Sequence, residues 1–134
     1  MLNSFPELLD FGLIAPTILR IALAFVLANL GAAKLKYEKA AFIHSFEFLS
    51  TKGAPALTKM LGWTQIILGV MFFFGIYTQI AALVTVLITF CELIIEYAYE
   101  DILKRSLVFY LLIFAIALSL LFSGAGRFAF DLPL

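Results

Sequence analysis

Charge is scarce in this sequence. Only 13% of the 134 residues are Asp, Glu, Lys or Arg, where a soluble domain carries about a quarter. Nine basic residues balance nine acidic ones, so there is no cationic surplus of the kind that nucleic-acid binding uses, and no nucleic-acid partner is expected. Cysteine is limited to Cys91 and histidine to His44. That excludes an internal disulfide and CxxC dithiol chemistry, and one His with one Cys cannot supply a metal-ligand set. No glycine-rich phosphate loop is present: the pair in Gly124-Ala125-Gly126 sits in an apolar context. Glu7 and Asp10 stand where the cationic n-region of a signal peptide would be. What remains is apolar. Hydrophobic residues make up 64% of the chain and the mean hydropathy is +1.10, an excess that calls for lipid as a second solvent.

The apolar residues fall into four long segments, giving a single domain over residues 1–134 with spans at about 11–33, 55–77, 78–98 and 105–123. Crossing a ~30 Å hydrocarbon core takes roughly 20 helical residues, and the fourth segment reaches that length if Arg105 snorkels at its start. Backbone polar groups in lipid must be satisfied within the segment, so these are helices. The expected fold is therefore an all-α polytopic bundle of four transmembrane helices. Gly75-Ile76-Tyr77-Thr78 reads as the short turn between the second and third spans. A single helix from Leu57 to Tyr99 would exceed about 60 Å, longer than any bilayer covers.

Between the first two spans the pattern changes. Phe42, Phe46 and Leu49 recur at helical spacing among Lys39, Glu47 and Lys52, before Gly53-Ala54-Pro55 breaks the run. This predicts an amphipathic helix in the membrane interface, with His44 a solvated residue on it. The connections on one side carry Lys34, Lys36, Lys39, Lys52, Lys59, Lys104 and Arg105, and the other side carries Arg127. That asymmetry predicts a cell (inner) membrane protein with basic loops inside and both termini extracytoplasmic.

Polar residues at bilayer depth cost a few kcal/mol or more, so each calls for a partner or a role. Arg20 shares its face with Thr17, Ala24, Leu27 and Gly31, and Gln65 shares its face with Gly62 and Gly69. Thr78, Thr85, Thr89, Glu92, Glu96 and Tyr99 form a polar stripe on the third span, and the fourth contributes Tyr110. These faces define the bundle interior. Arg20 is expected to pair with Glu92, assisted by Gln65 and Tyr110, while Lys34 or Lys36 answers Glu96 and Asn29 points away from the cluster. Such a cluster serves as a packing register, as a ligand or quinone-headgroup site, or as a proton or ion path. At the C-terminal end, Gly124 and Gly126 are expected to close the fourth helix, with Arg127 on its dipole and Asp131 folded back to pair with it. Either that arrangement caps the helix, or Arg127 and Asp131 dock a partner or line an entrance at the extracytoplasmic face.

The C-terminal phrase Gly124-Ala125-Gly126-Arg127-Phe128-Ala129-Phe130-Asp131 resembles the ending typical of the DoxX family of small four-helix membrane proteins. Leu19-Arg20-Ile21-Ala22, Leu30-Gly31-Ala32-Ala33-Lys34-Leu35, Gly53-Ala54-Pro55, and Gly62 and Gly69 with the run from Gly75 to Leu83 resemble further family motifs in the same order. Gln65 stands where the family usually has glutamate, and Gln79 where it usually has arginine. The resemblance implies a membrane partner of redox enzymes, since the family's namesake is a subunit of a thiosulfate:quinone oxidoreductase. More distant relatives look like chaperones or cargo receptors. The fold is also similar to the vitamin K epoxide reductase bundle, whose paired cysteines this chain lacks.

These observations lead to a non-catalytic accessory subunit of a membrane redox system. It holds no covalent cofactor and is associated with quinone or lipid through Arg20, Gln65, Glu92, Tyr110, Thr89 and Glu96. Its partners would be the bilayer and a membrane redox protein. Two other readings stay open: an assembly or binding protein whose polar core serves packing, and a small-solute or proton transporter resting on the acidic stripe.

Overall fold

The computed structural model describes residues 12, 14–47, 52–98 and 106–126. The first helix, α1, spans Ile14–Ala32 and runs on as a π-helical turn over Ala33–Tyr37. Then come α2 (Lys39–Phe46), α3 (Ala54–Phe74), α4 (Thr78–Ala98) and α5 (Leu107–Ser123). Ile14–Tyr37, Ala54–Phe74 and Thr78–Ala98 are long and apolar enough to cross a membrane, and Leu107–Ser123 is a shorter apolar helix. The chain is thus an all-α membrane bundle, with a short helix between its first two spans.

Local sequence explains where the helices start and stop. Pro55 occupies the first turn of α3, where its missing N–H would lack a helical partner anyway. The α3 helix closes on Gly75, whose left-handed backbone (φ 67°, ψ 44°) lets two amides turn back: Gly75 to the Phe72 carbonyl at 3.2 Å and Ile76 to that of Met71 at 3.0 Å. This pairing satisfies carbonyls that a helix end would otherwise leave orphaned. Three residues after Gly75, at Thr78, α4 begins, antiparallel to α3.

Packing divides the bundle into two close pairs, α1 with α3 and α4 with α5, while α3 and α4 touch much more sparsely. The first pair is close because glycines line it. A Cβ on Gly31 would stand 2.6 Å from the Gly62 carbonyl oxygen, and one on Gly69 would stand 2.9 Å from that of Ala24. Small residues let helix backbones approach where lipid supplies no hydrophobic driving force between helices. The outer surface carries the bulky apolar side chains, among them Ile18, Phe25, Ile67, Phe73, Leu87 and Phe90. On that surface Phe25 meets Phe73 edge-to-face at 6.1 Å, and Phe90 meets Phe114 at 6.2 Å, so each close pair carries an aromatic contact on its lipid side.

The short helix α2 is not wholly interfacial in its contacts. Lys39, Ala40 and His44 are exposed, but Phe42 is buried, and its ring lies 5.0 Å from the Lys34 ammonium. This helix therefore caps the end of the bundle where α1 finishes.

Candidate functional site

The polar residues of the bundle interior are buried as their helical faces require. Arg20, Gln65, Thr89, Glu92, Glu96 and Tyr110 all lie inside the bundle, and Lys34 lies there with them. Their partners differ from those expected in one respect. Glu92 does not pair with Arg20; its salt bridge is to Lys34. The Lys34 ammonium also donates to Gln65 Oε1 at 2.7 Å, and Gln65 Nε2 donates to Glu92 Oε1 at 3.0 Å. Three helices thus meet in one hydrogen-bonded cluster: Lys34 from the end of α1, Gln65 from α3 and Glu92 from α4. The Phe42 ring beside the ammonium adds a cation–π contact.

Two physical facts account for the substitution of Lys34 for Arg20. Lys34 follows Arg20 by 14 residues, about 21 Å along the helix axis at ~1.5 Å per residue. That places Arg20 far nearer the other end of the bundle than a guanidinium can bridge. Helical side chains also lean toward the helix N-terminus, so a lysine at the end of α1 points back into the membrane rather than out of it. The π-turn that holds Lys34 bonds the Glu38 amide to the Ala33 carbonyl five residues back, at 2.8 Å; such turns occur mostly as single insertions in α-helices, frequently at functional sites.

Arg20 turns instead to the chain's far end, where its Nη1 donates to the Ala125 carbonyl at 3.1 Å. Gly124, which closes α5, has φ 76° and ψ −164°, a conformation essentially confined to glycine. Gly126 also has positive φ, at 73°. These two glycines aim the Ala125 carbonyl at the guanidinium. Arg127 and Asp131 lie outside the described residues, and so does the pairing expected between them. Thr85 and Thr89 spend their hydroxyls on their own helix: Thr85 donates to Ala81 at 2.8 Å, and Thr89 to Thr85 at 2.7 Å. Glu96 lies buried one turn beyond Glu92, and Tyr110 is fully buried on α5.

Where α3 and α4 part, a groove of about 290 Å³ opens. Its walls include Leu57 and Leu61 of α3 and Leu87, Cys91 and Ile95 of α4, and Glu92 is its one carboxylate. The Oε1 of Glu92 carries the bonds to Lys34 and Gln65, whereas Oε2 is buried without a hydrogen-bond partner among the described residues. No group of His, Cys, Asp and Glu that could hold a metal occurs among the described residues.

The DoxX family model matches residues 15–96, more than half of the chain. The chain belongs to the DoxX family. The match runs from the start of α1 to Glu96, so it contains all three residues of the buried cluster. No curated protein and no solved structure matches the chain. In this DoxX protein, Lys34, which the expected span boundary left in a loop as a possible partner of Glu96, is the cation of the buried cluster and pairs with Glu92. The signal was available: at 100° per residue, Lys34 falls about 40° from Arg20, on the inward face of α1.

Proposed function

We propose that this DoxX protein is an accessory subunit of a membrane redox system, holding a quinone or lipid headgroup at the Lys34–Gln65–Glu92 cluster. The observation that carries this reading is the coincidence of a buried charged cluster with a groove between α3 and α4. The groove's lining is apolar apart from Glu92, and that residue links it to Lys34 and Gln65 behind it. Sites for small molecules combine these features: apolar lining for affinity and a few placed polar groups for orientation. Family membership supports the redox setting. The polypeptide's part is to bind and orient, while the redox chemistry belongs to the bound molecule and the partner enzyme.

The membrane is the cell (inner) membrane, with both termini extracytoplasmic and the α1–α3 connection in the cytoplasm. The loop lysines support this orientation even with Lys34 withdrawn into the bundle, because Lys36, Lys39, Lys52 and Lys59 remain exposed on that side. Labelling of cysteines introduced near Lys52 and near Leu132 in intact cells tests it. External labelling is expected near Leu132, and external labelling near Lys52 refutes the orientation.

Purification from native membranes in mild detergent, followed by mass spectrometry of co-purified lipids, quinones and proteins, tests the function. The expected result is a quinone or lipid in near-stoichiometric amount together with a redox enzyme. Preparations that hold their fold yet carry neither would make the buried cluster a packing device in an assembly protein.

A further inference from the structure

We propose that the groove between α3 and α4 selects lipid-soluble molecules whose head donates a hydrogen bond, a neutral hydroxyl bonding to Oε2 of Glu92. The inference deepens the function proposed above and rests on it for placing a ligand at this cluster. What it adds is the chemistry of the head.

The hydrogen-bond inventory of the cluster leads there. Gln65 accepts from Lys34 through Oε1 and donates to Glu92 through Nε2. The Lys34 ammonium serves Gln65 and Glu92 and faces the Phe42 ring. Glu92 Oε1 takes both of these donors, which leaves Oε2 as a buried acceptor with nothing among the described residues donating to it. A carboxylate oxygen is acceptor-only. A head that offers only acceptors, such as a ketone, ester or ether, sets lone pairs against lone pairs there. A hydroxyl supplies the missing proton.

Charge narrows the class further. Lys34 already balances Glu92, so within the Lys34–Gln65–Glu92 set the open oxygen calls for a hydrogen-bond donor and not for a second cation. The groove's space of about 290 Å³ lies at the small end of ligand sites. It suits one compact head with the first part of an apolar tail rather than a phospholipid headgroup. Two sources share this chemistry: the reduced, hydroquinone form of a lipid-soluble redox carrier, and an aliphatic lipid alcohol.

Matched ligands decide it. The purified protein in detergent is presented with dodecanol and its methyl ether, and with decyl hydroquinone and decyl benzoquinone. Retention of each is then measured by native mass spectrometry in competition. The hydroxyl member of each pair is expected to bind about 10-fold tighter or more, the scale of leaving a buried polar group unsatisfied. Leu87→Trp, a change at an exposed groove residue outside the cluster, should abolish binding of both hydroxyl compounds while the protein melts normally. Glu92→Gln adds a donor at the same place and should shrink the preference or reverse it.

Ether and quinone binding as tightly as alcohol and hydroquinone would overturn the donor rule, as would full binding by Leu87→Trp. Hydroquinone binding well above dodecanol identifies a redox carrier as the occupant, and parity identifies a lipid alcohol; both satisfy the rule. If none of the four compounds binds while native preparations still carry quinone, this inference fails and the proposed function stands. If native preparations also carry neither quinone nor lipid, the proposed function fails as well.

Discussion

Among the described residues two cations are buried, both on the inward face of α1, and they are held in different ways. Near the start of the helix, Arg20 donates to a backbone carbonyl at the end of α5. At the finish, Lys34 meets a carboxylate and a carboxamide from two other helices. The difference follows the two chemistries. A guanidinium spreads its charge over a planar fork of five donors and suits a carbonyl presented by an irregular chain end. An ammonium is a compact point charge with three donors and suits a discrete anion. The arginine thereby ties together the two ends of the described chain, whereas the lysine joins three helices near the end of the bundle that α2 caps. The lysine cluster adjoins the groove that opens between α3 and α4.

The largest effect should come from breaking the lysine's ion pair. Lys34→Met strands the Glu92 carboxylate and is expected to cost about 3–5 kcal/mol of stability. Adding Glu92→Leu should restore most of that loss, because an apolar replacement of both members of a buried pair is often neutral. Thermal unfolding in detergent of the two single variants and the double variant measures this. A double variant as damaged as the sum of the singles would show that the pair is not coupled.

Arg20→Met removes the charge-assisted hydrogen bond to the Ala125 carbonyl, a contact worth about 2 kcal/mol, in the range for hydrogen bonds to charged groups. Equal losses for Arg20→Met and Lys34→Met would erase the distinction between the two sites. Gly124→Ala reaches Arg20 indirectly. A Cβ there meets nothing within 4 Å, so the cost comes from backbone conformation alone, at about 1–2 kcal/mol. That cost should largely vanish in an Arg20→Met background if the glycine's task is to aim the Ala125 carbonyl. The smallest effect is expected from Phe42→Leu, which keeps an apolar side chain against Lys34 but removes the ring face, at about 1 kcal/mol. Its signature would be loss of that cost in the Lys34→Met background.

The fold was legible in the sequence because lipid leaves few options. Long apolar runs, a glycine turn at Gly75 and small-residue faces around Arg20 and Gln65 specify four helices and their inward sides. Burial of Arg20, Gln65, Thr89, Glu92, Glu96 and Tyr110 follows from the same periodicity. Pairing was harder to read, because it depends on depth as well as face. Ending the first span at Ala33 assigned Lys34 to the basic loop, although its angle placed it with Arg20. A lysine at a span boundary is ambiguous by composition: it either snorkels outward or, where the side chain leans back along the helix, reaches inward. The π-turn that extends α1 to Tyr37 has no sequence signature that would have resolved the choice. Nor does periodicity reveal that Thr89 hydrogen-bonds its own helix.

The glycines between α1 and α3 bear on traffic as well as on packing. With Gly31 set against the Gly62 backbone and Gly69 against that of Ala24, this seam leaves no width for an acyl chain. The seam between α3 and α4 is the looser one. The protein therefore has a front and a back within the plane of the membrane. Under the proposed function, a partner enzyme exchanging a hydrophobic molecule with the groove would stand at the front, with the sealed back left for lipid.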